Sequence, residues 1–201
     1  MTARDPNIEK DVRAMVRDIV DNIFGDADPE ESSAVSRQPS ASESGTTVAI
    51  GGDHGGFALK EQLAFKLAEQ GLDVIDCGTD SAEAVDYPDI AADVARKVAS
   101  GEADAGVIVD GAGIGSAMAA NKIAGVRAAL CYDLSTARNA REHNHANVLT
   151  LGAGLTGDAL AWQITQEFLT TSYGEGRHAR RVGKIDALDK ATDRVALETA
   201  T

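Results

Sequence analysis

Stretches with the apolar pattern of β-strands alternate with stretches of helical period through most of the chain. The predicted strands are residues 47–50, 72–76, 105–109, 126–131 and 148–151, and the predicted helices are residues 58–70, 90–99, 116–122, 135–142 and 157–170. Strands separated by helices are typical of a parallel sheet with helices on both faces. The pattern therefore predicts a three-layer α/β domain that occupies residues 47–201.

The first 46 residues have a different character. Within residues 1–25, eight large apolar side chains fall on one face of a helix: Ile8, Val12, Met15, Val16, Ile19, Val20, Ile23 and Phe24. Residues 26–46 are rich in serine and acidic residues, and such a segment cannot bury enough apolar surface to offset the entropy of ordering. We therefore expect an amphipathic helix that a flexible linker tethers to the domain.

The chain carries 19 basic and 32 acidic residues, a formal net charge of −13. So acidic a chain repels phosphate backbones, and we expect no nucleic-acid partner. An apolar run of about 18 residues, long enough to span a membrane, does not occur, and the first residues are too polar for a secretory signal. We therefore expect no membrane partner and a cytoplasmic location. Cys77 and Cys131 fit no metal-binding spacing and are expected to be reduced thiols.

Glycine-rich turns follow two of the predicted strands, GGDHGG at residues 51–56 and DGAGIG at residues 110–115. Glycines allow backbone N–H groups to approach a ligand closely, and ligands of parallel sheets bind beyond the carboxyl ends of the strands. Asp53 and Asp110 should therefore face one crevice, with His54 beside the first. Carboxylate and imidazole groups are suited to proton transfer. Further along, residues 174–181 gather three arginines and a histidine, a pattern that favours phosphate binding.

Six blocks in fixed order strengthen this interpretation: VAIGGDHGGFALK (48–60), VIDCGT (74–79), VDYPDIA (85–91), GEADAGVIVDGAGIGSAMAANK (101–122), AREHNHANVL (140–149) and GEGRHARRV (174–182). The blocks resemble the ribose-5-phosphate isomerase B and galactose-6-phosphate isomerase family. The resemblance implies a Rossmann-like domain that interconverts an aldose phosphate and a ketose phosphate, of the ribose 5-phosphate and ribulose 5-phosphate type, through an enediolate. It further implies a homodimer, with a tetramer as the alternative, whose active sites lie between subunits and need no metal or organic cofactor.

The same resemblance implies the site. Asp53 and His143 would transfer protons at the sugar oxygens, and His143 would open the sugar ring. The expected substrate-binding groups are His54, Tyr87, Asn144, the phosphate-binding Arg177 and Arg181, and the backbone N–H groups of Gly111, Ala112, Gly113, Ile114 and Gly115, which would hold the enediolate.

Three positions depart from the family pattern. Asp110 stands where many members carry a catalytic cysteine, and Ala112 stands in place of a threonine. A carboxylate can remove a carbon-bound proton, so Asp110 is expected to be the enolising base. Gly154 replaces a phosphate-binding arginine, a loss worth ~1.5–3 kcal/mol for one charge-assisted contact. These departures leave open a changed substrate or a non-catalytic member of the family that binds a phosphosugar.

Two other hypotheses concern separate features. Gly111, Gly113 and Ser116 with Asp133 imitate a dinucleotide fingerprint, which would indicate a nicotinamide-dependent oxidoreductase, but the third glycine is missing. The tethered helix resembles encapsulation peptides, which implies that residues 5–25 bind a shell protein and place the enzyme in the lumen of a bacterial microcompartment. The alternative is a helix that docks on its own domain or dimer.

Overall fold

The structure, a computed structural model, describes residues 46–199, and describes side chains for residues 46–189. The predicted amphipathic helix and nearly all of the predicted linker lie outside the described residues. Within this range the elements are β1 (Thr47–Gly52), α1 (Phe57–Glu69), β2 (Asp73–Asp76), α2 (Tyr87–Ala99), β3 (Ala105–Asp110), α3 (Ile114–Ala120), β4 (Ala128–Leu130), α4 (Leu134–Asn144), β5 (Val148–Gly152), α5 (Asp158–Thr170) and α6 (Arg177–Thr199).

The five strands form one parallel sheet in the order β2-β1-β3-β5-β4. In the centre of the sheet Ile50 pairs with Val107, which pairs with Leu149 on its other side. The predicted fold class, an α/β parallel sheet of Rossmann-like type, is confirmed. Most predicted elements agree with the structure to within two residues. The exception among them is α2, which begins three residues early at Tyr87 because Pro88 suits a first helical turn.

Both faces of the sheet are covered by helices. Alternate strand residues pack with α1, α4 and α5 on one face: Val48, Ile50, Val107, Val109, Leu149 and Leu151. The residues between them, including Ala49 and Ile108, pack with α2 and α3 on the other face. On that second face α2 approaches the sheet so closely that a Cβ at Gly106 would lie 2.8 Å from the Val94 side chain. Small residues in β1 and β3 therefore allow α2 to pack close to the sheet.

The strand order changes direction between β1 and β3, since β2 lies on one side of β1 and β3 on the other. The turns that follow these two strands therefore meet at the carboxyl edge of the sheet. The N–H of Asp53 donates to the carbonyl of Val109 over 3.2 Å, and a Cβ at Gly52 would lie 2.6 Å from the same oxygen. This close approach forms the crevice in which open parallel sheets bind ligands.

Helix α6 is not among the predicted helices, although the Arg177 to Arg181 run was open to interpretation as a solvated helix face. Its first half is dominated by charged side chains, and Val182 is buried while Ile185 is exposed. Two polar contacts attach its middle to the domain: Asp186 pairs with Arg127 over 2.8 Å, and Asp189 accepts from the N–H of Gly125 over 2.8 Å. The three-residue spacing of Val182 and Ile185 was the signal for this helix. Among the described helices, none is long and apolar enough to cross a membrane.

Candidate active site

The carboxyl edge of the sheet brings together the predicted residues that follow β1 and β3. Asp53 is half-buried, and its Oδ1 accepts the N–H of Gly56 over 2.9 Å. His54 is exposed, and its Nδ1 accepts the N–H of Val85 at 3.5 Å. The Tyr87 ring packs directly on Gly115, because a Cβ there would lie 2.5 Å from the ring. Asp53, His54, Tyr87 and the loop after β3 thus form one continuous surface.

The carboxylate of Asp110 is turned toward its own loop. Its Oδ1 accepts the N–H groups of Ala112, over 2.7 Å, and of Gly113. Its Oδ2 accepts both the N–H of Ser116, over 3.2 Å, and the Ser116 hydroxyl. Asp110 is only 5% exposed, and Ser116 is fully buried. Four donors therefore fill the four lone-pair positions that a carboxylate offers.

This arrangement differs from the prediction for the enediolate-binding loop. The N–H groups of Ala112 and Gly113, which were expected to hold the enediolate, donate to Asp110 instead. Among the described residues, no acceptor receives the N–H groups of Gly111, Ile114 and Gly115. The part of the loop open to a ligand is therefore smaller than predicted. The Ser116 hydroxyl was missed, because a serine six residues after an aspartate carries no periodic signal.

The turn after β5 supports this loop through its backbone. The N–H of Ala153 donates to the Asp110 carbonyl over 2.8 Å, and the N–H of Gly154 donates to the Gly111 carbonyl over 3.0 Å. A Cβ at Gly154 would lie only 3.0 Å from that same Gly111 oxygen. Gly154 therefore lies directly on the loop, and a side chain at this position would press on it.

The other predicted groups lie at the opposite edge of the sheet. Helix α4 starts after β4 and is about 16 Å long. It ends at Asn144, four residues before the first residue of β5, and Asn147 donates its N–H to the Arg127 carbonyl just before β4 begins. His143 and Asn144 are therefore at the amino edge. One chain does not bring them together with Asp53 and Asp110.

The phosphate-binding candidates share this amino edge. His143 and His178 stack with ring centroids 4.2 Å apart, and the N–H of Gly174 donates to the Glu142 carbonyl over 2.8 Å. These contacts hold the start of α6, which carries the exposed Arg177 and Arg181, against the end of α4. The predicted site is thus divided into a carboxylate half at one edge and an imidazole and arginine half at the other.

The amino-edge half has its own supporting contacts. Asn139 hydrogen-bonds Nδ1 of His143 over 2.8 Å, and Asn144 donates to the Asn139 carbonyl over 3.2 Å. Beside them a cavity of about 510 Å³ runs between β4 and α4, and Ile185 of α6 lines it as well. Asn139 was not singled out from the sequence. It belongs with His143 because it lies four residues earlier, on the same face of α4.

Other groups of interest have structural roles. Asp133, the acid of the dinucleotide hypothesis, accepts the N–H of Thr136 over 2.7 Å and caps α4. Both cysteines are free, and burial raises the pKa of Cys131 to about 11 and also raises that of Cys77. Neither thiol is therefore ionised near neutral pH. Within the described residues, no three His, Cys, Asp or Glu side chains converge as a metal site.

Comparisons with known proteins identify the chain's relatives. The model of the ribose/galactose isomerase family matches residues 48–185. The chain belongs to this family. Ribose-5-phosphate isomerase B of Escherichia coli K12 is 44% identical over 143 residues, which cover 71% of this chain and 96% of that protein. The predicted family and the predicted enzyme class, an isomerase, are confirmed.

Solved structures agree with this assignment. Ribose-5-phosphate isomerase B of Clostridium thermocellum superposes with a TM-score of 0.72 at 46% identity, covering 73% of this chain and 99% of that one. The enzyme of Mycoplasma genitalium, solved with bound ribulose-5-phosphate, gives a TM-score of 0.71 at 38% identity, covering 74% of this chain and 99% of that one. The isomerase described here thus shares the family fold over nearly the full length of these relatives.

The pKa of His178 reports the positive charge at the amino edge of this isomerase, where Arg177 and Arg181 lie. Burial lowers the pKa of His178, and the neighbouring His143, Arg177 and Arg181 lower it further. Arg181→Gln removes a repulsive cation, so the pKa of His178 should rise toward the ordinary value of 6.5. Titration of the imidazole C–H resonance by NMR measures the shift. Arg180→Gln is the control, because Arg180 is not among the groups that lower this pKa. An equal rise of the His178 pKa in both variants would contradict the specific effect of Arg181.

Proposed function

We propose that the protein isomerises a phosphorylated sugar between its aldose and ketose forms, with a substrate of the ribose 5-phosphate and ribulose 5-phosphate type. The observation that carries this proposal is the division of the site into two chemically complementary halves. One edge presents Asp53, His54 and the open N–H groups of the glycine loop. The other presents His143, Asn144 and exposed arginines. Membership of the ribose/galactose isomerase family supports the same reaction.

A second copy of the chain is proposed to join the two halves. Within one chain His143 lies about a helix length, ~16 Å, from the carboxyl edge, too far to share a sugar with Asp53. A two-fold symmetric dimer can place the amino edge of one copy over the carboxyl edge of the other, and its symmetry forms two equivalent sites. The open cavity beside Asn139 and Asn144 supplies a concave surface where such a contact can form.

In this arrangement each predicted group has a chemical task. Arg177 and Arg181 bind the phosphate, since guanidinium groups match phosphate oxygens in geometry and charge. His143 moves a proton between the ring oxygen and the anomeric hydroxyl to open the sugar, and Asn144 binds a hydroxyl. The free N–H groups at Gly111 and Gly115 stabilise the negative charge of the enediolate. Asp53 and Asp110 are the two carboxylates at the edge where the carbon-bound proton is transferred.

The reaction is tested by NMR with a panel of aldose phosphates of four to six carbons in deuterated water. An enediolate intermediate exchanges its carbon-bound proton with solvent, so deuterium should appear at C1 or C2 of the true substrate as its ketose forms. Reversed exchange from the ketose phosphate is the internal control. A phosphosugar that raises the melting temperature but gains no deuterium would instead identify a non-catalytic, phosphosugar-binding member of the family.

The shared site predicts complementation between inactive variants. Asp53→Asn and His143→Ala alter opposite halves, so each should be inactive alone. A mixed dimer has one site with both lesions and one intact site, and random pairing should restore about a quarter of wild-type activity. Isomerase assays after subunit exchange measure the recovery. Mixing Asp53→Asn with His54→Ala is the control, because both lesions lie on the same half and every site stays impaired. Failure to recover activity in dimers shown by mass spectrometry to be mixed would refute the shared site.

We further propose that residues 5–25 bind a shell protein of a bacterial microcompartment. The support is the stripe of eight large apolar residues on a segment joined by a serine-rich linker. Deleting residues 1–45 should leave kcat/KM unchanged and release the enzyme from purified shells. A full-length control with Ile19→Asp and Ile23→Asp breaks the stripe but keeps the linker, and it should be released equally. Unchanged co-purification of either variant with shell proteins would contradict this role, and a lower melting temperature on deletion would indicate docking on the enzyme's own domain.

A further inference from the structure

The two carboxylates at the carboxyl edge differ in the lone pairs that they leave free. Asp110 accepts four hydrogen bonds, two on each oxygen, and is 5% exposed. Asp53 is half-buried and accepts one side-chain hydrogen bond, at Oδ1 from the N–H of Gly56. Its Oδ2 accepts no hydrogen bond from any described residue. Because a base must offer a free lone pair to the proton it removes, Asp53 meets this requirement and Asp110 does not.

The donors on Asp110 are not easily displaced. Three of them are backbone N–H groups whose positions are set by the turn into α3, and a backbone N–H cannot rotate away. The fourth is the hydroxyl of Ser116, a residue that is fully buried. A sugar carbon cannot occupy the position that this hydroxyl holds. The Asp110 carboxylate is therefore directed into the protein, on the side away from a ligand.

The surroundings of Asp53 are those that an enolising base needs. The position of a Cβ at the exposed Gly55 would lie 3.3 Å from Oδ1 of Asp53 and 3.6 Å from the nitrogen of Gly111. Gly55, which carries no side chain, thus lies between the Asp53 carboxylate and the Gly111 N–H group, which has no acceptor among the described residues. A sugar bound over Gly55 would have a base beside its carbon-bound hydrogen and a donor for the charge that develops on its oxygen.

We infer that Asp53 takes the carbon-bound proton and that Asp110 is a positioning residue, an inference that rests on the proposed isomerase function. Asp53 Oδ2 removes the proton from C2 of the open-chain aldose. The electron pair of that C–H bond forms the C1–C2 double bond, and the carbonyl electrons move to O1. Oδ2 of Asp53 then returns the proton to C1. At the same time the hydroxyl proton of O2 passes to O1, and the carbonyl forms at C2. No external reductant or oxidant is needed.

In this assignment Asp110 acts through its loop. Its carboxylate draws the N–H groups of Ala112, Gly113 and Ser116 inward, and the turn that results leaves the Gly111 N–H free to face the crevice. The Ser116 hydroxyl completes the set of donors. Loss of the Asp110 or the Ser116 side chain should weaken substrate binding and disturb the loop, while proton transfer itself persists.

Deuterium exchange at carbon separates the two carboxylates. Asp53→Asn keeps a carbonyl oxygen for the Gly56 N–H, so the variant should melt like wild type, yet exchange should fall by about a thousandfold, as expected for loss of a general base. Asp110→Asn should melt at a lower temperature, because one carboxylate oxygen becomes an NH2 group, which cannot accept the hydrogen bonds that Ser116 donates. The rate of deuterium exchange in this variant should fall by less than about a hundredfold, mostly through a higher KM rather than a lower kcat. Ser116→Ala should behave like Asp110→Asn, and Ser116→Thr, which keeps the hydroxyl, should restore KM.

A loss of exchange in Asp110→Asn as large as that in Asp53→Asn, in protein that melts like wild type, would overturn the inference while the isomerase function stands. Should Asp110→Asn fail to fold, Ser116→Ala decides: faster exchange than wild type would show that freeing Asp110 releases the true base, and would overturn the inference equally. Absence of exchange in the wild-type enzyme with every sugar phosphate tested would reject the isomerase function, and the base assignment with it.

Discussion

The four hydrogen bonds on the Asp110 carboxylate hold the functional edge of this protein together. A carboxylate on a residue that is only 5% exposed is costly to bury unless hydrogen bonds compensate it, and here the loop supplies four of them. The same loop accepts backbone hydrogen bonds from the turn after β5, and the turn after β1 bonds to Val109 beside it. Three strand ends are thereby fixed relative to one another. The loop at the centre of this arrangement is folded around that one buried carboxylate.

Parallel topology explains why the predicted site divides. Each helix that follows a strand returns to the amino edge, so a residue at the end of α4 is separated from the strand ends by the length of the helix. His143 at the end of α4 and the arginines at the start of α6 share that amino edge because His143 and His178 stack. A single chain of this fold therefore holds the two halves apart, and the proposed association of two copies would join them.

Much of the fold could be predicted from the sequence, since buried strands and amphipathic helices each have a periodic signal, and the strand-end rule placed Asp53 and Asp110 at one crevice. The direction of the Asp110 carboxylate could not be predicted. It depends on the turn into α3, which brings three N–H groups and the Ser116 hydroxyl within reach of two oxygens. Helix α6 was missed because the first half of its sequence is dominated by charged residues, which leave little apolar pattern, and because contacts such as that between Arg127 and Asp186 are long-range.

An aspartate at position 110, where the family pattern is expected to have a cysteine, differs from a thiol in more than its strength as a base. A thiolate offers one soft acceptor, whereas a carboxylate offers two oxygens whose spacing suits the N–H groups of Ala112, Gly113 and Ser116. Those donors attract the carboxylate into the loop, and the buried Ser116 hydroxyl reinforces the attraction. The loop at Ala112 lacks a hydroxyl, so the one hydroxyl in this turn serves the carboxylate and not a sugar. In the proposed mechanism, proton transfer at carbon therefore falls to the neighbouring strand end, where Asp53 keeps one oxygen free and lies across Gly55 from the N–H of Gly111.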